Sequence, residues 1–163
     1  MKKQEVILNE VKEVLIKAMI SRFEKEGYLD PMIIFLRNDL CDVMHVPSEM
    51  FSCDYLKQQL VDTIKQRCQD PSIIAVCIIY ETYMVLFGQQ EQELSNLIAK
   101  GIKRVSDCEQ KKDAIMMFFC TPVEEEVISY FVDCENKRVI NENPLRSKNV
   151  FGGVFHNLFG NVA

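Results

Sequence analysis

Sixteen consecutive residues, Ser72 to Phe87 (SIIAVCIIYETYMVLF), are apolar almost throughout and carry one charge, Glu81, near the middle. Pro71 ends the segment before the run and Gly88 follows it. Its Ile, Val, Thr and Tyr content favours a strand over a helix. So apolar a strand belongs at the centre of a core, which makes Glu81 the first residue to explain. An ionised carboxylate in apolar surroundings must be paired, hydrogen-bonded, protonated or turned to water. Regular alternation points Glu81 to the same side as Cys77, Ile79 and Tyr83. Sixteen extended residues would span roughly 50 Å, so a bend or bulge near Tyr80 to Thr82 is expected, turning Glu81 outward to pair with Lys or Arg. Beside that structural role, Glu81 and Tyr83 are candidate ligand- or partner-binding residues.

The chain has 163 residues, of which 48% are hydrophobic and 26% charged, enough for one well-buried core. A net charge of -5 disfavours a nucleic-acid surface, which needs accumulated Lys and Arg. Lys100, Lys103, Arg104, Lys111 and Lys112 are the main basic concentration, and Glu91, Glu93, Asp107, Glu109 and Asp113 dilute it to a solvated face. The N-terminal stretch is interrupted by polar residues too often to hold the apolar region of a signal peptide, so a cytoplasmic protein is expected. The run around Glu81 is shorter than the ~18 to 20 apolar residues a membrane helix needs. No membrane partner is expected.

Seven cysteines stand at wide, irregular spacing, without a C-x-x-C pair or a Cys/His pair at zinc-finger distance. They read as reduced, packed small hydrophobes. His45 shares a strand face with Cys41, but four strand residues span roughly 13 Å, too far for a dyad or a shared metal. The other histidine, His156, lies near the C-terminus, where nothing preorganises a catalytic group. Glu124, Glu125 and Glu126 diverge along extended chain and read as a solvated turn. Gly152 and Gly153 lack the strand, helix and following Lys of a phosphate loop. No catalytic residue, metal ligand or cofactor is assigned.

Along the chain, residues 3 to 26 show helical periodicity through Ile7, Val11, Leu15, Met19 and Phe23, ended by Gly27. Residues 31 to 47 read as a hairpin closed by Pro47. Ser52 has the chemistry of an N-cap, with Phe51 and Leu56 as a hydrophobic staple, for a helix ending before Asp70. A lesser helix from Glu91 to Val105 is weakened by Gly101. From Asp113 the pieces AIMMFFCT, VISYFVD and RVI read as a β-meander.

In the final residues Phe151, Phe155 and Phe159 recur every fourth position, so a helix there would present an aromatic stripe. Such a stripe either docks on its own domain or inserts into a protein partner or a second copy.

The piece IIAVCIIYETYMVLF with the later SDCEQKKDAIMMFF resembles a type of small uncharacterised bacterial and phage-associated protein. Its members pair a hydrophobic strand ending in Glu-Ala-Trp-Met or similar with a Ser/Asp/Glu-rich loop and another strand. Glu81, Thr82, Tyr83 and Met84 match that strand end, and Asp107 to Asp113 match the acidic loop. Tyr83 stands where an indole is usual, and the helical insert from Glu91 to Val105 departs from the pattern. The resemblance supports the order of elements and implies no catalytic residues.

These features predict an α+β domain over residues 1–144, with a mostly antiparallel sheet of about five strands and two main helices on one face. Residues 145–163 form an apolar tail. The expected function is a non-catalytic binding or assembly module that self-associates or binds a protein partner through the tail. The alternative is a small hydrolase or ligand-handling enzyme using Glu81, Tyr83 and the 107–113 acidic loop.

Overall fold

The apolar run folds as β3 (Ala75–Met84), and its unbroken hydrophobicity has a direct cause: both faces of the strand are covered. Ala75, Cys77 and Ile79 face one core, while Val76 and Ile78 face another. In the computed structural model residues 2–86, 92–148 and 155–160 are described, with side chains from residue 7 onward in the first helix.

Helix α1 (Lys2–Glu26) is followed by a hairpin of β1 (Met32–Leu36) and β2 (Cys41–His45). A 3₁₀ turn (Ser48–Phe51) leads into α2 (Asp54–Arg67) and then β3. After α3 (Gln92–Ala99) come β4 (Lys112–Cys120), β5 (Glu125–Asp133), β6 (Arg138–Val139) and β7 (Leu145–Lys148). Neighbouring strands follow the order β2-β1-β3-β4-β5-β6, with β7 also on β5, and every pairing is antiparallel.

Helix α1 lays Ile16, Met19 and Phe23 on the sheet face formed by Ile34, Leu36, Cys77, Ile79, Ile115, Met117 and Ile128. Of the predicted stripe Met19 and Phe23 are buried, Val11 and Leu15 are half-buried and Ile7 is exposed, while Ile16 joins the buried side; the helix stops at Gly27, whose φ of 82° suits glycine. The Gly27 N–H donates to the Phe23 carbonyl at 2.7 Å. Helix α2 lays Leu60, Val61, Ile64 and the following Cys68 on the opposite face, against Ile33, Phe35, Val76, Ile78 and Phe118. The Arg37 guanidinium binds Asp42 and Asp70, and also contacts Ser72, joining the β1–β2 turn to the entrance of β3.

The α+β class and the antiparallel sheet agree with expectation, and several details differ. Among the described residues the sheet has seven strands rather than five, because two short pieces, β6 and β7, add to β5. The two main helices lie on opposite faces, not one. A sheet sandwiched in this way produces continuous apolar runs, whereas one covered face would produce alternation. The expected bulge is also absent, since β3 and β4 stay in register from Val76↔Cys120 to Met84↔Lys112. The strand is short enough without one, at ten residues. Helix α3 forms over part of the expected span and contributes no buried residue.

Ser52 does not cap α2. Cys53 takes the N-cap position without a side-chain bond, and the Ser52 hydroxyl donates to the Glu49 carbonyl at 2.6 Å. All seven cysteines are free, with Cys68, Cys77, Cys108 and Cys120 buried and Cys41, Cys53 and Cys134 exposed.

Candidate functional site

β3 outruns β1. Their pairing ends at Met32↔Ile79, whereas β3 remains paired with β4 through Met84↔Lys112. Past Ile79 the strand loses one neighbour, and burial changes from continuous to alternating. Position 81 tolerates a charge for this reason: it is the first residue beyond the doubly covered core whose side chain reaches water.

Glu81 is held by the chain that joins α1 to β1. Its Oε1 accepts the N–H of Leu29 at 2.6 Å, and Leu29 itself is buried in the α1-side core. The carboxylate therefore anchors a main-chain donor where the sequence predicted a Lys or Arg partner. Loss of hydration lifts the Glu81 pKa above the ordinary carboxylate value; the Leu29 N–H works against that rise, and the charges of Asp113 and Asp30 add to it.

Around Glu81 lies a cleft of about 290 Å³. Leu29, Pro31, Ser48 and Phe51 line it together with Tyr80 to Tyr83 and Asp113. Register explains Asp113, which pairs with Tyr83 across β3 and β4 and so projects on the same face as Glu81. Tyr83 is 46% exposed, and the Lys111 ammonium sits 4.8 Å from its ring centre. Phe51 stacks on Tyr80 with ring centroids 5.2 Å apart. The Tyr80 hydroxyl reaches the Met116 sulfur at 3.1 Å, and burial pushes its pKa up to about 12.

The aromatic tail residues stand elsewhere. Phe155 is buried on the α2 side of the sheet, with its ring 5.9 Å from Tyr80, 6.2 Å from Phe51 and 6.1 Å from Phe118. Leu158 is buried beside it and Phe159 is half-buried. Phe151 lies outside the described residues. Residues 155–159 form turns rather than a helix, with Asn157 at φ 57°. Glu125 clamps the segment: Oε1 accepts the Asn157 N–H at 2.7 Å, and Oε2 lies 2.8 Å from His156 Nδ1. Residues 145–148, read as the start of the tail, form β7.

Glu81 and Tyr83 thus share one cleft, and Phe155 and Phe159 belong to the other face of the sheet. Tyr80 and Phe51 join the two regions, lining the cleft while touching Phe155. Sequence reasoning missed Leu29, Phe51 and Tyr80 as cleft residues. Phe51 carries the staple signal, but its stacking on Tyr80 depends on where the 3₁₀ turn lands. Of the acidic loop 107–113, Asp113 lines the cleft.

Among the described residues no group of His, Cys, Asp or Glu side chains is arranged to hold a metal ion. None of their helices is long and apolar enough to cross a membrane. Comparison with protein-family models, curated proteins and solved structures gave no match for this chain.

Proposed function

We propose that the protein is a non-catalytic binding or assembly module whose Glu81 cleft receives a cationic side chain from a protein partner. The observation that carries this is the pairing of Glu81 with Asp113 in one aromatic-walled cleft. The Asp113 charge adds to the rise of the Glu81 pKa, and a cation in the cleft would offset it and favour the Glu81 carboxylate. Tyr83 already holds the Lys111 ammonium over its ring, so its face suits a cation. The cleft lies at the small end of ligand sites, a size for one side chain rather than a large cofactor.

The test is an NMR titration of the ¹⁵N-labelled protein with N-acetyl-arginine amide, with the citrulline analogue as neutral control. Shifts at Leu29, Glu81, Tyr83 and Asp113 with the arginine compound, lost in E81Q, are expected. Equal responses to both compounds, or none, would overturn the assignment.

One observation favours the ligand-handling enzyme as a second reading: the Glu81 carboxyl holds its proton more readily than usual, beside Asp113. Turnover of ester or phosphoester substrates abolished by E81Q would replace the binding role with that one.

A further inference from the structure

Among the described residues β2 is the terminal strand of the sheet, with β1 on one side and no strand paired on the other. The phase of its hydrogen bonds defines that edge. Val46 donates its N–H to the Pro31 carbonyl at 3.0 Å, and Arg37 donates to the Leu40 carbonyl at 2.9 Å. Bonded pairs alternate along an antiparallel ladder. Leu40, Asp42, Met44 and Val46 therefore turn their main-chain groups toward β1, and Cys41, Val43 and His45 turn theirs outward.

The edge lacks the usual protections. Cys41–His45 contains no Lys and no Pro, and its register with β1 runs without a bulge. Its one formal charge, Asp42, is already met by Arg37 at 3.1 Å. Val43 is 50% exposed and the adjoining Leu40 60%.

We infer that a second copy of this chain covers the β2 edge, pairing antiparallel about Val43. The inference deepens the assembly role proposed above and rests on it. In that register Val43 meets Val43 of the second copy, and Cys41 meets His45. These are the residues whose N–H and C=O groups point outward, so each forms a bonded pair. Asp42 faces Met44, and no like charges meet. The same register sets Leu40 of one copy opposite Val46 of the other. Val46 borders a groove of about 530 Å³ between β2 and α2, with Met44, Met50 and Leu60 as further apolar lining and Gln59, Asp62 and Thr63 as polar lining. The exposed Leu40 thus has a groove to enter in the two-fold arrangement that satisfies the main chain, and the contact repeats on both sides of the axis.

Val43→Pro is the decisive variant, because proline at this position removes an N–H that β1 does not use. Val43→Lys is the second, in case the proline strand does not fold. Light scattering after size-exclusion chromatography should show a dimer for the native chain and monomers for both variants, each with native circular dichroism. Val43→Cys, with Cys41, Cys53 and Cys134 changed to Ser, should oxidise to a covalent dimer. A native chain that is monomeric at all concentrations would overturn both the edge pairing and self-association. A dimer that survives Val43→Pro and Val43→Lys would overturn the edge pairing alone and leave assembly through another surface.

Discussion

Lys12 of α1 and Glu126 of β5 form an ion pair inside the molecule, with Nζ 2.5 Å from Oε2 and both side chains almost fully covered. The Lys12 ammonium also lies 5.5 Å from the centre of the Phe119 ring, and Arg146 reaches the other Glu126 oxygen at 3.4 Å. Removing one member of such a pair leaves the other buried without its counter-charge, at a cost of about 3 to 5 kcal/mol. K12M and E126L should each lose about that much in denaturant unfolding. The double variant K12M/E126L should recover most of the loss, because two apolar side chains replace two desolvated charges.

The pH dependence of stability should carry two opposite signatures. Burial alone would raise the Glu126 pKa, but the hydrogen bond and charge of Lys12, with Arg146 and Lys148, bring it below the ordinary carboxylate value. A depressed folded value means that the stabilisation is complete above the unfolded pKa and is lost as pH falls through the folded one. Glu81 is raised, so its ionisation costs the fold stability as pH rises through its folded value. Denaturant melts across the acid range should show a shallower acid decline in E126Q than in the native chain, read as slopes because E126Q is less stable throughout. E81Q should keep the Leu29 contact and gain relative stability toward neutral pH.

The C-terminal segment is expected to contribute to the α2-side core rather than hang from it. F155A should cost about 3 to 5 kcal/mol, in the range for a buried aromatic, and should speed amide exchange across residues 155–160. Val123→Ser, at a side chain 91% exposed, should stay within about 0.5 kcal/mol of the native chain. A small loss in F155A would place the segment outside the cooperative fold.

Two glycines with left-handed backbone separate strain from collision. A Cβ on Gly27 would meet Lys137 Cγ at 3.0 Å, whereas one on Gly101 meets nothing within 4 Å. G101A should lose about 1 kcal/mol from the backbone alone, and G27A about 2. Thermal melts of the two variants measure the difference.

Element order was legible because its signals are local. The stripe of α1, the stop at Gly27, the Pro47 closure and the β-meander each depend on a few neighbouring residues. The layering was legible in principle: an uninterrupted run through Ile73 to Ile79 is the mark of a strand covered on both faces, and the alternation after Tyr80 marks where cover ends. The cleft was not legible. Glu81 was visible as an anomaly, but its partner is a main-chain N–H, and no residue type signals that Leu29 will stand opposite β3. Asp113 joins Glu81 through the register of β3 and β4, and the cleft opens there because β1 pairing ends at Ile79, two long-range relationships that no local signal carries. In the tail Phe155 is buried, but residues 155–159 form turns in place of a helix, with Asn157 and Gly160 at positive φ.

The division of cysteines between surface and interior gives the molecule its own set of chemical clocks. A thiol reagent reaches Cys41, Cys53 and Cys134 in the native state. Cys68, at the end of α2, is pushed up to about 11 by burial, and Cys77 in the central strand is raised further. Modification of Cys68 therefore requires α2 to lift from the sheet, and modification of Cys77 requires the sheet itself to open. The order in which the thiols are consumed reads out the order in which the layers come apart, without adding a label to the chain.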